Sequence, residues 1–432
     1  MAGTARSFGW GAVARLGLVQ ASLGAIVVLT TSTLNRIMVV ELSLPALLPG
    51  LLVALHYAVQ LVRPRVGHGS DLGARRTPWI VGGMVVLAIG GLLAALATVW
   101  MASDRAAGLT LAVAAFVLIG GGVASCGTSL LALLAQRVVP ERRAGAATVV
   151  WLMMIAGFAV TAGLAGRALD PYSSARLLSV CGTVALIAVA ITVLAMWRLE
   201  GPGSAPSERP TPLDFRAALA EVWRDDEARR FTVFVFVSML AFSAQDLILE
   251  PFAGAALGFT PGESTRLSGV QHGGVLAGML LAALAGRQRF GSLRAWTVGG
   301  CIASALALAG IAAAAGVGPA WPFRANVFLL GAANGAFSIA AIGSMMRLAN
   351  EGRESRAGVR MGLWGGAQAI AFALGGVLGT GASDLARWLI GGPPGRPYAT
   401  VFVLEALLFL ASAALAARIA APAPRAQLAL AR

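Results

Sequence analysis

Long apolar runs separated by short polar breaks dominate the chain. A helix needs about 20 apolar residues to cross a hydrocarbon core, and runs of that size lie near 14–42, 46–64, 79–101, 109–136, 146–169 and 174–197. Six more follow near 231–256, 263–286, 293–315, 323–349, 357–382 and 399–421. The pattern predicts twelve transmembrane helices. No short apolar region with a small-residue cleavage site precedes the first run, so no removable signal peptide is expected. The longest break is central. Gly201-Pro202-Gly203-Ser204-Ala205-Pro206 through Pro212 resists helix formation. Beyond it, Leu213, Phe215, Leu219, Val222 and Trp223, set among Arg216, Glu221, Arg224, Asp225 and Asp226, predict a short amphipathic helix on the membrane surface. The expected organisation is an N-terminal bundle over 1–200, a linker over 201–230 and a C-terminal bundle over 231–432.

The two sets of six runs are related. Moving from position 141 to 354 superposes Glu141-Arg142-Arg143-Ala144-Gly145 on Glu354-Ser355-Arg356-Ala357-Gly358, Trp151 on Trp364, Gly163 on Gly376 and Gly166 on Gly379. A duplicated hydrophobic chain with six spans per half is the sequence signature of the major facilitator fold. The fold class expected is therefore an all-α membrane protein of two six-helix pseudo-repeats.

Composition agrees, with 58% apolar and only 12% charged residues and a mean hydropathy of +0.79. All 33 basic residues are arginine, and their placement carries more than their number. Arg63, Arg65, Arg75 and Arg76 lie between spans 2 and 3, and Arg137, Arg142 and Arg143 between spans 4 and 5. Arg287, Arg289 and Arg294 follow span 8, while Arg347, Arg353, Arg356 and Arg360 surround the break after span 10. Only Arg105, Arg176, Arg266, Arg324, Arg387 and Arg396 fall in the opposite loops. The positive-inside bias then places both termini in the cytoplasm. The net charge of +14 is mostly topological; it favours anionic lipid headgroups and does not imply nucleic-acid binding. Trp79, Trp100, Trp197, Trp296, Trp321 and Trp388 sit at span ends as interfacial anchors, and Cys126, Cys181 and Cys301 have neither zinc nor disulfide spacing.

Chemistry-bearing residues are few. Gly67-His68-Gly69-Ser70-Asp71-Leu72-Gly73-Ala74-Arg75-Arg76 resembles the major facilitator loop motif after span 2, although Gly73 stands one position early. Asp71 at a span end, with Arg75 and Arg76, suits a gate that opens as the halves rock; the alternative is a purely topogenic basic loop. The equivalent Gly286-Arg287-Gln288-Arg289-Phe290-Gly291 has no acid. His68 in the basic loop is expected to be solvated.

Ionisable groups inside spans cost roughly 2.5–3.5 kcal/mol on insertion scales and mark functional candidates. Arg36 and Glu41 close span 1, and Asp246 and Glu250 close span 7, four apart on one helix face. Arg36 and the two carboxylates of span 7 are expected to converge, either as a proton or ligand site or as an interhelical lock; their place in the last turns favours the lock. His56 and His272 each follow a proline, Pro45 and Pro261, by eleven residues in spans 2 and 8. Both are expected near mid-span, as metal-of-tetrapyrrole ligands or proton relays, or as packing histidines beside Gly269, Gly273 and Gly274. Glycine pairs such as Gly274 and Gly278 indicate close helix approach. No P-loop, nucleophile elbow or metalloprotease pair occurs, so no enzyme is expected.

Leu34-Asn35-Arg36-Ile37-Met38-Val39-Val40-Glu41-Leu42, Gly69-Ser70-Asp71 with Arg75-Arg76-Thr77-Pro78-Trp79-Ile80, and Asp246-Leu247-Ile248-Leu249-Glu250-Pro251-Phe252 with Thr265-Arg266-Leu267 resemble the bacteriochlorophyll delivery family, the PucC-type light-harvesting complex assembly proteins. The resemblance spans about 12 to 420 and is weaker in spans 9, 10 and 12. It implies a multi-pass protein of the bacterial inner, intracytoplasmic photosynthetic membrane. It further implies light-harvesting antenna polypeptides as partners and bacteriochlorophyll or a late pigment precursor as cargo, with His56 and His272 as candidate magnesium ligands. A proton-coupled transporter of a small amphipathic solute and a non-transporting scaffold are the alternatives. The arginine asymmetry generates a direct test: reporter fusions after Arg209 and after Gly391 are expected to report opposite compartments, and matching compartments refute the topology.

Overall fold

The computed structural model describes residues 8–63, 66, 75–200, 223–288, 290–351 and 357–419. Among them every regular element is helical. The first half runs α1 (Trp10–Glu41), α2 (Leu47–Val62), α3 (Thr77–Trp100), α4 (Arg105–Arg137), α5 (Pro140–Ala168) and α6 (Ser174–Met196). The second half runs α7 (Asp226–Leu257), α8 (Pro261–Arg287), α9 (Leu293–Val317), α10 (Phe323–Glu351), α11 (Ala357–Ile390) and α12 (Gly395–Ala417). Eleven of these are long and apolar enough to cross a membrane. The twelfth, α2, is shorter and ends in a 3-10 turn over Gln60–Val62, so at 1.5 Å per residue it spans about 24 Å.

Helix starts follow from capping residues in the polar breaks. The side chains of Asp104, Ser173, Asp225 and Ser292 accept hydrogen bonds from first-turn N–H groups of α4, α6, α7 and α9. Thr260 and Glu263 form a reciprocal capping box on α8, and proline occupies the first turn of α3, α5 and α8, where a missing N–H costs nothing. Because Asp225 caps α7, residues 226–230 belong to that helix and not to the expected linker. The predicted amphipathic helix falls largely outside the described residues.

Each half has its own apolar core. One cluster draws on residues from Phe8 to Met196 together with Leu247; the other draws on residues from Phe231 to Ile419. Side chains such as Leu186, Leu194 and Leu306 point outward and are mostly exposed, as helices facing lipid require. The halves meet where α5 packs on α8 and α2 packs on α11. The repeat that maps α5 onto α11 also maps α2 onto α8, so the two contacts are equivalent. Met154 and Ile155 of α5 pack there with Val275 and Met279 of α8.

The tightest crossing joins α8 to α10 through reciprocal glycines. A Cβ on Gly278 would lie 1.9 Å from the Ala332 carbonyl oxygen, and one on Gly335 would lie 2.0 Å from that of Val275. Only a residue without Cβ permits this approach, and in lipid such close packing replaces the hydrophobic drive available in water. Gly278→Leu is therefore expected to destabilise the second half by at least the about 1–3 kcal/mol typical of overpacking. Thermal melting of the detergent-purified protein reads the effect; an unchanged midpoint contradicts the packing argument.

Candidate functional site

The polar residues of α1 converge on the second half because the helix is locally overwide. Leu29–Thr33 and Ile37–Glu41 are wound as π-helix, a feature that concentrates at functional sites. The hydroxyls of Thr30 and Thr31 donate back to the Val27 carbonyl, both at 2.9 Å, which supports the bend. Ser32, Thr33, Asn35 and Arg36 follow in succession, all buried.

Each of these four finds a partner across the halves. The Ser32 hydroxyl donates to Glu250 Oε1, which also accepts from the Ser268 hydroxyl at 2.6 Å. Thr33 Oγ1 lies 3.0 Å from Thr265 Oγ1, and Asn35 Nδ2 donates to the Leu247 carbonyl at 2.6 Å. One arm of Arg36 donates to the Phe259 carbonyl at 2.6 Å; the other pairs with Glu41. Gly254 leaves room for the guanidinium, since a Cβ there would stand 2.9 Å from it.

This arrangement corrects one expectation. Arg36 does not join Asp246 and Glu250 in an ion pair. Its acid is Glu41, five residues on, because i→i+5 winding brings residues five apart to nearly one face. Glu250 accepts from the Ser32 and Ser268 hydroxyls through Oε1, and Asp246 accepts from Gln271 Nε2 at 2.9 Å. Just outside the spans, burial raises the Tyr172 phenol above its ordinary range, Glu41 adds to the shift and Arg36 opposes it.

The seam continues at the same end of the bundle. Asp384 of α11 accepts from the Ala46 and Leu47 N–H groups at 3.1 and 2.8 Å, capping α2 from the other half. Asp170, after α5, accepts from the Thr260 hydroxyl at 2.8 Å and pairs with Arg266 at 3.0 Å. The structure thus joins the halves at the ends of α1, α5, α7 and α11 and the starts of α2 and α8.

The histidines are placed differently from one another, against the expectation of equal roles. The His56 ring is 2% exposed, its Nε2 lies 2.9 Å from Gln60 Nε2, and Gln60 in turn accepts from Arg63. With the amide nitrogen donating, the Nε2 lone pair is occupied. His272 stands at the α5–α8 contact, edge-on to Phe158 at 4.9 Å between centroids. Its Nδ1 is 2.9 Å from the Ser268 carbonyl, so Nδ1 carries the proton and Nε2 keeps its lone pair. That tautomer suits a metal-ligating histidine.

Of the loop motif, Asp71 and His68 lie outside the described residues. Arg75 is exposed ahead of α3. Arg76 is buried: its backbone N–H lies 2.8 Å from both Glu200 carboxylate oxygens, and its Nε donates to Gln136 Oε1 at 3.1 Å. Glu200 also accepts from Thr77 N–H and hydroxyl, each at 2.7 Å. It therefore ties the end of the first half to the motif. A second acid, Glu405, is buried in the middle of α12; its sequence signal, an acid inside an apolar span, is the same one carried by Asp246.

Residues 33–423 match the family model described as PUCC protein. The chain belongs to the PUCC family. Among its relatives, a Rhodobacter capsulatus protein called bacteriochlorophyll synthase 44.5 kDa chain is 52% identical over 416 residues, 96% of each chain. The protein PucC of Cereibacter sphaeroides is 31% identical over 92% of this chain and 89% of its own. The fold is that of the major facilitator superfamily: a bacterial homolog of the human lysosomal transporter Spinster, in an inward-facing and unoccupied conformation, superposes with a TM-score of 0.70 at 16% identity, covering 95% of this chain and 98% of its own. The relative named as a synthase chain overturns the expectation of a protein that is not an enzyme. That expectation rested on missing soluble-enzyme motifs, which do not report on a membrane-embedded PUCC protein.

The seam predicts a graded response. Glu250→Leu removes the acceptor shared by the Ser32 and Ser268 hydroxyls, leaving them only each other at 2.7 Å, and is expected to cost about 1–3 kcal/mol, whereas Glu250→Gln keeps an acceptor and loses less. Equal melting points for the two variants contradict the role given to Glu250.

Proposed function

We propose that this PUCC protein binds bacteriochlorophyll, or a late precursor of it, between its two halves and passes it to light-harvesting antenna polypeptides in the photosynthetic membrane. The observation that carries the reading is a relative 52% identical over nearly the whole chain and named for bacteriochlorophyll. The site chemistry supports it. His272 offers an Nε2 lone pair at the contact between halves, its ring oriented by the Ser268 carbonyl and by Phe158. Met154, Ile155, Val275 and Met279 supply an apolar wall nearby. A tetrapyrrole magnesium takes one axial imidazole, and its macrocycle requires apolar surroundings. In this reading His272 is the pigment ligand of the resting arrangement, and His56 would become available only if Gln60 turned away. In the same reading the end of the bundle that carries Arg75 is the cytoplasmic one, and the seam around Arg36, Glu41 and Glu250 holds the opposite end closed.

Purification in mild detergent, followed by an absorption spectrum and identification of co-purifying peptides, tests the proposal. Pigment absorbance and antenna peptides are expected with the unaltered protein. His272→Leu is expected to reduce the co-purified pigment several-fold at an unchanged membrane level of the protein, and His56→Leu to reduce it less. Full pigment retention by His272→Leu refutes the ligand assignment; absence of pigment and antenna peptides from the unaltered protein refutes the function.

A further inference from the structure

We propose that Tyr57, Phe372 and Phe242 form a ring-packing wall in the chamber that holds His272, and that this wall takes the flat macrocycle of a tetrapyrrole whether or not the ring carries its magnesium. The inference rests on the cargo proposed above and adds to it what grips the ring.

Phe242 and Asp246 stand four residues apart on one face of α7. Both keep accessible surface, whereas Ala241, Ser243, Ala244, Gln245 and Leu247 around them are buried. This face is flanked by α8 on one side and α11 on the other. Asp246 accepts at 2.9 Å from Gln271 of α8, the residue before His272, and the Phe242 ring lies 5.9 Å from that of Phe372 on α11. Across the halves, Phe372 lies 5.3 Å from Tyr57, and His272 lies 4.9 Å from Phe158. Contacts therefore run without a break from α2 through α11, α7 and α8 to α5. His272 stands eleven residues into α8 and Phe372 twelve before Asp384, so at 1.5 Å per residue both lie about 16–18 Å from the seam.

The aromatic row borders open space. The core aromatics of the second half, Phe231, Phe234, Phe252, Phe337, Phe402 and Phe409, are at most 1% exposed, whereas Tyr57, Phe372 and Phe242 all stay half-buried. Lipid does not account for the surface that Phe372 keeps. The exposed Ile370, Leu374 and Leu378 mark the lipid-facing side of α11, and a residue two positions from Leu374 points nearly the opposite way. Gly365, seven residues before Phe372 on the same face, is exposed, and a Cβ there would meet nothing within 4 Å. The space that Phe372 lines thus continues toward the start of α11.

The two sides of the chamber answer different parts of one ligand. The Nε2 lone pair of His272 suits a magnesium centre, which takes one axial imidazole. Aromatic faces pack against any flat π system through offset or edge contacts, whatever stands at its centre. Three uncharged rings in a row therefore recognise the macrocycle, and His272 recognises its metal.

Detergent-purified full-length protein, immobilised and exposed to bacteriochlorophyll or to its magnesium-free form, tests the wall by the pigment absorbance it retains. Both forms are expected to be retained, the magnesium-bearing one more. Phe372→Leu and Phe242→Leu are each expected to lower retention of both forms about 2–10-fold, the size of one aromatic contact, while Phe372→Trp keeps it. His272→Leu is expected to lower retention of the magnesium-bearing form alone. The wall is overturned if both leucine variants retain the two forms as the unaltered protein does, or if both fail to accumulate, which would make the rings interhelical packing. Retention of the magnesium-bearing form alone by the unaltered protein overturns the wall and leaves the cargo standing, whereas retention of neither form overturns the cargo as well.

Discussion

In a lipid-embedded bundle no water answers a buried polar group, so each must find its partner within the protein. The ends of α1, α7 and α8 are organised by that constraint. Ser32, Thr33, Asn35 and Arg36 are buried in succession, more polar surface than one regular helix face can present to a neighbour. Two π-wound segments widen the helix and turn all four toward the second half. There Glu250, Thr265, the Leu247 carbonyl and the Phe259 carbonyl receive them. The seam is thus a consequence of α1 carrying polar residues that have nowhere else to go.

The same constraint explains why the rest of the interface is so plain. Away from the seam the halves touch through Met154, Ile155, Val275 and Met279 and through aromatic contacts such as Tyr57 with Phe372 at 5.3 Å. These surfaces can part without stranding a hydrogen bond, whereas the seam cannot. A facilitator fold moves by rocking one repeat against the other. Here the polar end is costly to open and the apolar contacts are cheap to slide. Within each half, reciprocal glycines such as Gly278 and Gly335 bring backbones together too closely for sliding, so each half behaves as one body.

The fold is shared with a transporter at only 16% identity and does not by itself identify what the protein binds. The ionisable groups near the contact between halves are mostly answered by hydroxyls, amides and backbone rather than by opposite charge. One imidazole nitrogen, on His272, is left with its lone pair. That lining is what the proposed pigment cargo, a large apolar molecule with a single coordination demand, would ask of it.

Some of this was written in the chain itself. The apolar runs, their duplication and the scarcity of charge determine an all-helical membrane bundle of two halves, because only helices of that length satisfy their own backbone in lipid. Asp246, Glu250 and Arg36 were legible as unusual because any ionisable group in such a run is costly. What they bind was not. Sequence spacing assumes a regular α-helix, and the π turns of α1 shift Arg36 away from the α7 acids to Glu41. The histidines show the same limit: equal spacing from Pro45 and Pro261 predicts like depth, but the groups at hand, Gln60 for one and the Ser268 carbonyl with Phe158 for the other, decide which nitrogen is free. Linear spacing determines depth and face along a helix, whereas partners come from other helices, and only their packing settles which polar atom is satisfied.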